Sequence, residues 1–285
     1  MKMPGQQPCR GTTEIVILMA TYNGEPFIGK QIDTLLAQTS QDWTLYVHDD
    51  GSTDATVAIV DRYAAEHPGH IIRLDYPPQG GARNNFMSLL ARIDAPYYMF
   101  ADQDDLWHTD KIAVSMAAMK AEEQLHPDKA VVVHSDLRLV DNNGNTIHPS
   151  FFSYANLHPE RITAYGDYIQ NIVTGCTMLF NRQARTAALS RPYQAATMHD
   201  AWITLRTIAD GGIRHTIYDP LTDYRQHGDN VMGAEDGHRF TLAYRLTHAA
   251  DMARKNLAHY RMMKQAGSIS LPAFVKAKTT FFMNR

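Results

Sequence analysis

Short apolar runs alternate with polar breaks along the first hundred residues. Ile15 to Ala20 is an unbroken apolar run of strand length, as a strand buried on both faces requires, and Thr21-Tyr22-Asn23-Gly24-Glu25-Pro26 breaks it. Phe27 to Gln38 carries Ile28, Ile32, Leu35 and Leu36 at helical spacing. Trp43 to His48 is a second strand, ended by Asp49-Asp50-Gly51-Ser52-Thr53-Asp54 and followed by a helix from Ala55 to His67. A short strand (Ile71 to Leu74), the turn Pro77-Pro78-Gln79-Gly80-Gly81 and a helix from Ala82 to Arg92 repeat the scheme, and Tyr97 to Ala101 is a fourth strand. This alternation predicts an α/β chain with a mixed, mostly parallel sheet flanked by helices. Its polar loops gather at one rim, the crevice where such sheets hold nucleotides.

The second half is less regular. Lys111 to Gln124 reads as a helix, Ala130 to His134 as a strand, and Asn143-Gly144 within Leu137 to Ile147 as the turn of a hairpin. Phe151 to Glu160 is irregular and aromatic. Thr174-Gly175-Cys176-Thr177 precedes a short apolar run, Met178 to Phe180, and a helix from Gln183 to Ser190 follows. Met198-His199-Asp200-Ala201-Trp202 opens a helix that ends near Gly211, and Ile213 to Tyr218 is a late strand leading to Tyr224-Arg225-Gln226-His227-Gly228-Asp229-Asn230. The expected division is a disordered start over 1–12, one domain over 13–236 and a basic helical extension over 237–285.

Composition narrows the classes. The chain has 285 residues, 44% of them hydrophobic, enough for a substantial core, and a formal charge of −3 makes no case for nucleic acid as a partner. The two cysteines, Cys9 and Cys176, have neither metal-ligand spacing nor a disulfide framework, which favours a reducing cytoplasm. The start lacks a signal peptide's apolar centre, and no apolar run is long enough to span a bilayer. From Arg239 onward the sole acid is Asp251, against Arg239, Arg245, Arg254, Lys255, Arg261, Lys264, Lys276, Lys278 and Arg285. Leu242, Leu246, Ala249, Ala253 and Leu257 recur there at helical intervals. Such a stripe suits either an anionic membrane surface or docking on the catalytic domain or a second subunit, which would make a homo-oligomer.

The chemistry concentrates at Asp102-Gln103-Asp104-Asp105-Leu106-Trp107, where the fourth strand ends in three carboxylates. Crowded carboxylates repel one another and raise each other's pKa unless a cation sits between them, and Asp102 with Asp104 suits a hard ion such as Mg²⁺ or Mn²⁺. The bland alternative is an acidic turn capping the helix near Lys111.

Four motifs in order, Ala20-Thr21-Tyr22-Asn23-Gly24, Asp49-Asp50-Gly51-Ser52-Thr53-Asp54, Asp102-Gln103-Asp104-Asp105 and His199-Asp200 before Trp202, resemble the family 2 inverting glycosyltransferases. The resemblance spans roughly residues 13 to 232 and implies the GT-A fold and transfer of one sugar from a nucleotide-diphosphate sugar, with UDP- or dTDP-sugars as expected donors. It implies nucleotide contacts from Thr21, Tyr22, Asn23, Asp50, Ser52, Arg83 and Asp102, with Asp50 on the pyrimidine edge and Arg83 toward Asp50 or the diphosphate. Arg83 has an ordinary surface arginine as its alternative. It implies Asp104 as the direct ligand of Mn²⁺ or Mg²⁺, completed by His227, and Asp200 as general base, a residue that could instead cap its helix. Gly175, Cys176, Trp107 and His199 would stand near the sugar or acceptor.

The family commonly has Glu-Asp where this chain has His199-Asp200, a departure that leaves the base but not its neighbour. The chain lacks the Gln-x-x-Arg-Trp element of processive synthases. Its motifs also resemble those of rhamnosyltransferase-like enzymes of bacterial surface polysaccharide assembly, including lipopolysaccharide. Their acceptor would be a saccharide, lipid-linked at the cytoplasmic face of the membrane. A nucleotidyltransferase and an inactive sugar-nucleotide binding module are the rivals. The first would need a basic phosphate loop after the first strand, where Thr21 to Glu25 offers none.

Overall fold

The computed structural model describes residues 7–8, 14–161, 169–226, 249–267 and 269–283. Its opening half follows the alternation of the sequence: β1 (Ile15–Thr21), α1 (Ile28–Leu36), β2 (Trp43–Asp49), α2 (Thr56–Glu66), β3 (Ile71–Leu74), α3 (Ala82–Arg92) and β4 (Tyr97–Ala101). β1 pairs in parallel with β2 and β4, and β2 with β3. Both faces are covered, which is why these strands are apolar throughout. Val16 and Leu18 enter one core with Tyr98 and Phe100, while Ile15, Ile17 and Met19 enter the other with Met99 and Ala101.

The sheet then turns mixed. β5 (Leu106–Trp107), α4 (Lys111–Leu125), β6 (Val131–Val140), β7 (Thr146–His148), α5 (Phe151–Tyr154), β8 (Met178–Asn181), α6 (Arg182–Leu189), α7 (His199–Ala209) and β9 (Ile213–Arg225) follow. The nine strands run β3-β2-β1-β4-β8-β6-β9-β5, with β7 on the edge of β6. β8 lies antiparallel between β4 and β6, and the hairpin expected at Asn143-Gly144 joins β6 to β7.

Two strands outrun their sequence signals. β6 continues through Ser135 and Asp136, because the buried Asp136 carboxylate accepts from the N–H groups of Leu137 (2.7 Å) and Phe152 (3.1 Å) and from the Ser150 hydroxyl (2.5 Å). β9 runs on past Tyr218 despite Asp219 and Pro220. It pairs with β6 across irregularities on both sides of Pro220 and with β5 at Thr222 and Asp223. Pairing on both sides overrides a sequence poor in strand formers. Within the expected disordered start, Gln7–Pro8 pairs in parallel with Ile93–Asp94.

The C-terminal extension forms α8 (Ala249–Gly267) and α9 (Leu271–Met283). Its docking stripe is not the one expected. Ala253 is exposed and Leu257 is 47% exposed, whereas Met262, Met263, Ala266, Phe274 and Ala277 are buried in the core shared with α3 and α7. Leu242 and Leu246 lie outside the described residues. No described helix is long and apolar enough to cross a membrane.

Met263→Ala should therefore cost about 2–5 kcal/mol in urea unfolding, as for a methionine deleted from a packed core, and Leu257→Ala about 0.5 kcal/mol or less. Equal small effects would mean that the extension is not part of the core.

Candidate active site

The rim is formed where β1, β2 and β4 end together. Thr21 stands opposite Asp49 in register, and its Oγ1 donates to Asp49 Oδ1 at 2.8 Å. Asp49 also accepts from the N–H groups of Gly51 (2.9 Å) and Ser52 (2.7 Å), so this carboxylate organises its own loop. The Ser52 hydroxyl donates to Asp49 Oδ1 (2.5 Å) and accepts from Asn23 N (2.8 Å), while Asn23 Oδ1 accepts from Thr53 N (2.9 Å). The first two loops are thereby stitched together, with Asn23 at φ 47° and Tyr22 58% exposed at the crevice.

Asp50 is committed to a neighbouring loop. Its carboxylate accepts from the N–H groups of Gln79, Gly80 (3.1 Å) and Gly81 (2.5 Å). That turn needs φ of 78° and 108° at the two glycines, values that side-chain-bearing residues rarely adopt. Arg83 does not meet Asp50. Its guanidinium donates to Ala196 O (2.6 Å) and Asn84 Oδ1 (3.1 Å), because α3 aims it toward α7.

The Asp-rich segment folds as a turn centred on Gln103 and Asp104. The Gln103 amide brackets the Tyr22 peptide, accepting from its N–H and donating to its carbonyl, both at 2.9 Å. Gly24 permits this approach, since a Cβ there would lie 2.3 Å from Gln103 Oε1. Residues flanking a turn face each other, so the ligand atoms that converge within 4.8 Å are those of Asp102, Asp105 and Cys176. Asp104, the expected direct ligand, stands outside that group. One oxygen of buried Asp105 has no hydrogen-bond partner. Burial, with the charge of Asp104 as the next cause, lifts Asp102 to about 7 and raises Asp105 well above the carboxylate range. His227 lies outside the described residues.

Two buried cations support the turn. The ammonium of Lys111 donates to Cys176 O and Thr222 Oγ1 (2.7 Å) and lies 3.7 Å from the centre of the Trp107 ring. Burial lowers it to about 8, against the opposing pull of the neighbouring thiol, Asp105 and Asp102. Arg225, at the end of β9, donates to Asp104 O (2.9 Å) and Asn142 O (2.5 Å), and its N–H to Asp105 (3.4 Å). Sequence reasoning assigned none of this to Lys111, Arg225, Asp105 or Gln103. The available signal was a lysine at the first position of a helix, where a positive charge is unfavourable. Trp107, expected beside the sugar or acceptor, is 3% exposed and packs beneath Lys111 instead.

Asp200 is placed by α7. Met198 occupies the cap position, so Asp200 is not the helix cap but a first-turn residue whose Oδ1 accepts from Ala201 N at 2.6 Å. Burial raises its carboxyl to about 6, opposed by the N–H groups of Ala201 and Gly175, and its charge reaches Asp102 across the crevice. His199 is buried against Phe86 (4.2 Å) and Phe100 (4.8 Å), and neither ring nitrogen has a partner. Burial pushes it down to about 3, so it stays neutral. A Cβ on Gly175 would come within 2.6 Å of His199 Nε2, which makes glycine a packing requirement there. Gly175, Cys176 and His199 thus form a buried layer behind the crevice.

Comparison with known proteins gives the family and the fold. The family described as "Glycosyl transferase family 2" matches residues 16–186, more than half of the chain. The dTDP-rhamnosyl transferase RfbG of Shigella flexneri is 39% identical over 98 residues, but these are 33% of this chain and only 34% of that protein. The putative teichuronic acid biosynthesis glycosyltransferase TuaG of Bacillus subtilis is 23% identical over 76% of this chain and 81% of its own. WfgD of Escherichia coli, a UDP-Glc:α-D-GlcNAc-diphosphoundecaprenol β-1,3-glucosyltransferase, is 25% identical over 70% of this chain and 71% of its own. Among solved structures, S. aureus TarS 1–349 with UDP superimposes with a TM-score of 0.59 at 16% identity, covering 94% of this chain and 70% of that one. The mannosyltransferase PcManGT of Pyrobaculum calidifontis, with GDP-Man and Mn²⁺, gives 0.55 at 18% identity, covering 95% of this chain and 80% of that one.

Lys111→Met removes the ammonium and leaves buried carboxylates and two acceptors unserved. It should destabilise the protein by about 3–5 kcal/mol in urea unfolding. A loss below about 1 kcal/mol would show that Lys111 carries no such charge.

Proposed function

The chain belongs to glycosyl transferase family 2, with the GT-A type of α/β fold, and from that premise we propose a single-sugar transferase of bacterial surface polysaccharide assembly. It takes a sugar from a UDP- or dTDP-sugar and places it, with inversion, on a saccharide whose reducing end is a lipid diphosphate. Support for the donor comes from the UDP of TarS and the dTDP-rhamnosyl activity named for RfbG, and for the acceptor from the diphosphoundecaprenol named for WfgD. The observation that carries the reading is Asp200, held in the first turn of α7 by the Ala201 N–H, with its charge acting on Asp102 of the acidic turn.

In the reaction, Asp200 accepts the proton of the acceptor hydroxyl as that oxygen bonds to the anomeric carbon and the bond to the diphosphate breaks. The acceptor attacks from the side opposite the leaving group, which inverts the centre. The Ala201 and Gly175 N–H groups orient the carboxylate, and α7's N-terminus favours its ionised form. Thr21, Tyr22, Asn23, Asp50, Ser52 and Asp102 border the donor side, where Asp50 must exchange a loop N–H for the base edge of a pyrimidine.

The acidic turn fits a hard divalent ion. Asp102 and Asp105 converge and one Asp105 oxygen lacks a partner, although the Cys176 thiol is an unsuitable ligand for Mg²⁺ and burial keeps it protonated. Asp102 and Asp105, with Asp104 beside them, would hold Mn²⁺ or Mg²⁺. When bound, such an ion supplies positive charge to the departing diphosphate.

Asp200→Asn should lower kcat by roughly 10²-fold or more with donor affinity unchanged. In the wild type, kcat should fall as pH drops through about 6, because protonation removes the base. Weaker donor binding at unchanged kcat would make Asp200 a binding residue.

Replacing Asp104 or Asp105 by Asn should weaken Mn²⁺ binding, followed by electron paramagnetic resonance, by at least about tenfold, and wild-type transfer should stop in excess EDTA. Transfer undiminished in EDTA removes the metal from the mechanism.

A further inference from the structure

The two helices of the extension carry positions that the core does not use. Met262, Met263, Ala266, Phe274 and Ala277 are buried and fasten the extension to the core shared with α3 and α7. Other positions are exposed. Leu257, Arg261 and Lys264 recur at helical spacing along α8, and Leu271 and Val275 stand one turn apart on α9 beside Lys276. Leu257 is 47% exposed and Leu271 and Val275 are each 53% exposed. They are three of the seven large apolar side chains exposed among the described residues, on helices of only 19 and 13 residues. Exposed apolar surface is thus concentrated on the extension.

The charge of these helices has one sign. Of their Asp, Lys and Arg residues six are basic, and the one acid, Asp251, accepts from Arg254 at 2.6 Å. From Arg239 to Arg285 no other acid occurs, in a chain whose formal charge is −3, so the acidic excess belongs to the rest of the sequence. The buried side of the extension is tied to the helix that carries Asp200. Arg206 of α7 donates to Ala266 O, Gln265 Oε1 accepts from Ala195 N (2.9 Å), and Met262 Sδ accepts from the N–H and hydroxyl of Thr197 (both 3.5 Å). Whatever seats the extension therefore seats α7 with it.

We propose that α8 and α9 form a docking face for an anionic phospholipid surface, with Arg261, Lys264 and Lys276 at the head groups and Leu257, Leu271 and Val275 in the acyl boundary. The assignment goes beyond the transferase reading and does not depend on it. Two properties select this partner together: lipid phosphates attract the bases, and the hydrocarbon beneath them takes the leucine and valine side chains out of water. A soluble polyanion would meet the first demand and leave the apolar side chains hydrated. The contact is interfacial, because neither helix is long and apolar enough to cross a bilayer.

Sedimentation of the full chain with vesicles tests this, using phosphatidylglycerol and phosphatidylcholine at roughly 3:7 against phosphatidylcholine alone. The chain should pellet with the anionic vesicles only, and should be released at roughly 1 M salt, where the screening length falls to about 3 Å. The triple variant Arg261→Gln, Lys264→Gln, Lys276→Gln should weaken vesicle affinity by about 10²-fold, at about fivefold for each basic residue. Leu271→Ser with Val275→Ser should weaken it by at least about tenfold. All these positions are exposed, and urea unfolding verifies that the variants are folded. Equal pelleting with both kinds of vesicle, pelleting with neither, or unchanged affinity in the triple variant overturns the proposal. Unchanged affinity in the double variant also overturns it, by making the face a site for any polyanion. So does a dimer in analytical ultracentrifugation without vesicles that the double variant abolishes, which gives the apolar positions to a second copy of the chain. Because the readout is vesicle binding, a failure here is separate from a failure to observe sugar transfer.

Discussion

The rim depends on how buried negative charge is compensated. Three carboxylates within four residues end a central strand, and burial pushes two of them, Asp102 and Asp105, toward the protonated form. The protein answers with two cations brought from far along the chain. Lys111 reaches the acidic turn, the Thr174-Gly175-Cys176 turn and β9 at once, and Arg225 clamps the turn's backbone to the β6–β7 hairpin. One Asp105 oxygen accepts no hydrogen bond from either cation. The turn is thus held by contacts within the chain.

The same economy runs through the neighbouring loops. Asp49 and Asp50 are adjacent but do different work: Asp49 folds its own loop, whereas Asp50 holds the glycine turn before α3. Gln103, between two carboxylates, fastens the acidic turn to the first loop through a peptide bond. The rim loops are therefore coupled, and displacement of one would disturb the others. Around Asp200, the neutral ring of His199 fills the space under Gly175, whose N–H steadies the carboxylate. Here a packing residue, not a second carboxylate, stands before Asp200.

Local pattern was sufficient for much of this protein. The parallel half of the sheet, its helices and the hairpin at Asn143-Gly144 were legible because burial on two faces, helical spacing and turn chemistry each leave a short-range signature. The order of the motifs was enough to identify the family. The gathering of polar loops at one rim was legible too, since loops after consecutive parallel strands share an edge. Asp102 was read from that rim, whereas Asp200 came from the resemblance to the family.

What only the tertiary structure decided involves partners distant in sequence. Asp105 replaces Asp104 in the converging group because a turn, not an extended segment, follows β4. Arg83 points to Ala196 because α3 packs near α7, and β9 outlasts its apolar stretch because β5 and β6 pair with it. Lys111 carries no periodic signal; its significance comes from Cys176 and Thr222, residues 65 and 111 positions away. The extension buries Met263 and Ala266 rather than the stripe around Leu257, since which face of an amphipathic helix docks depends on the surface that receives it. Sequence determines which segments can form elements and where charge accumulates, whereas pairing between those segments determines which charges meet.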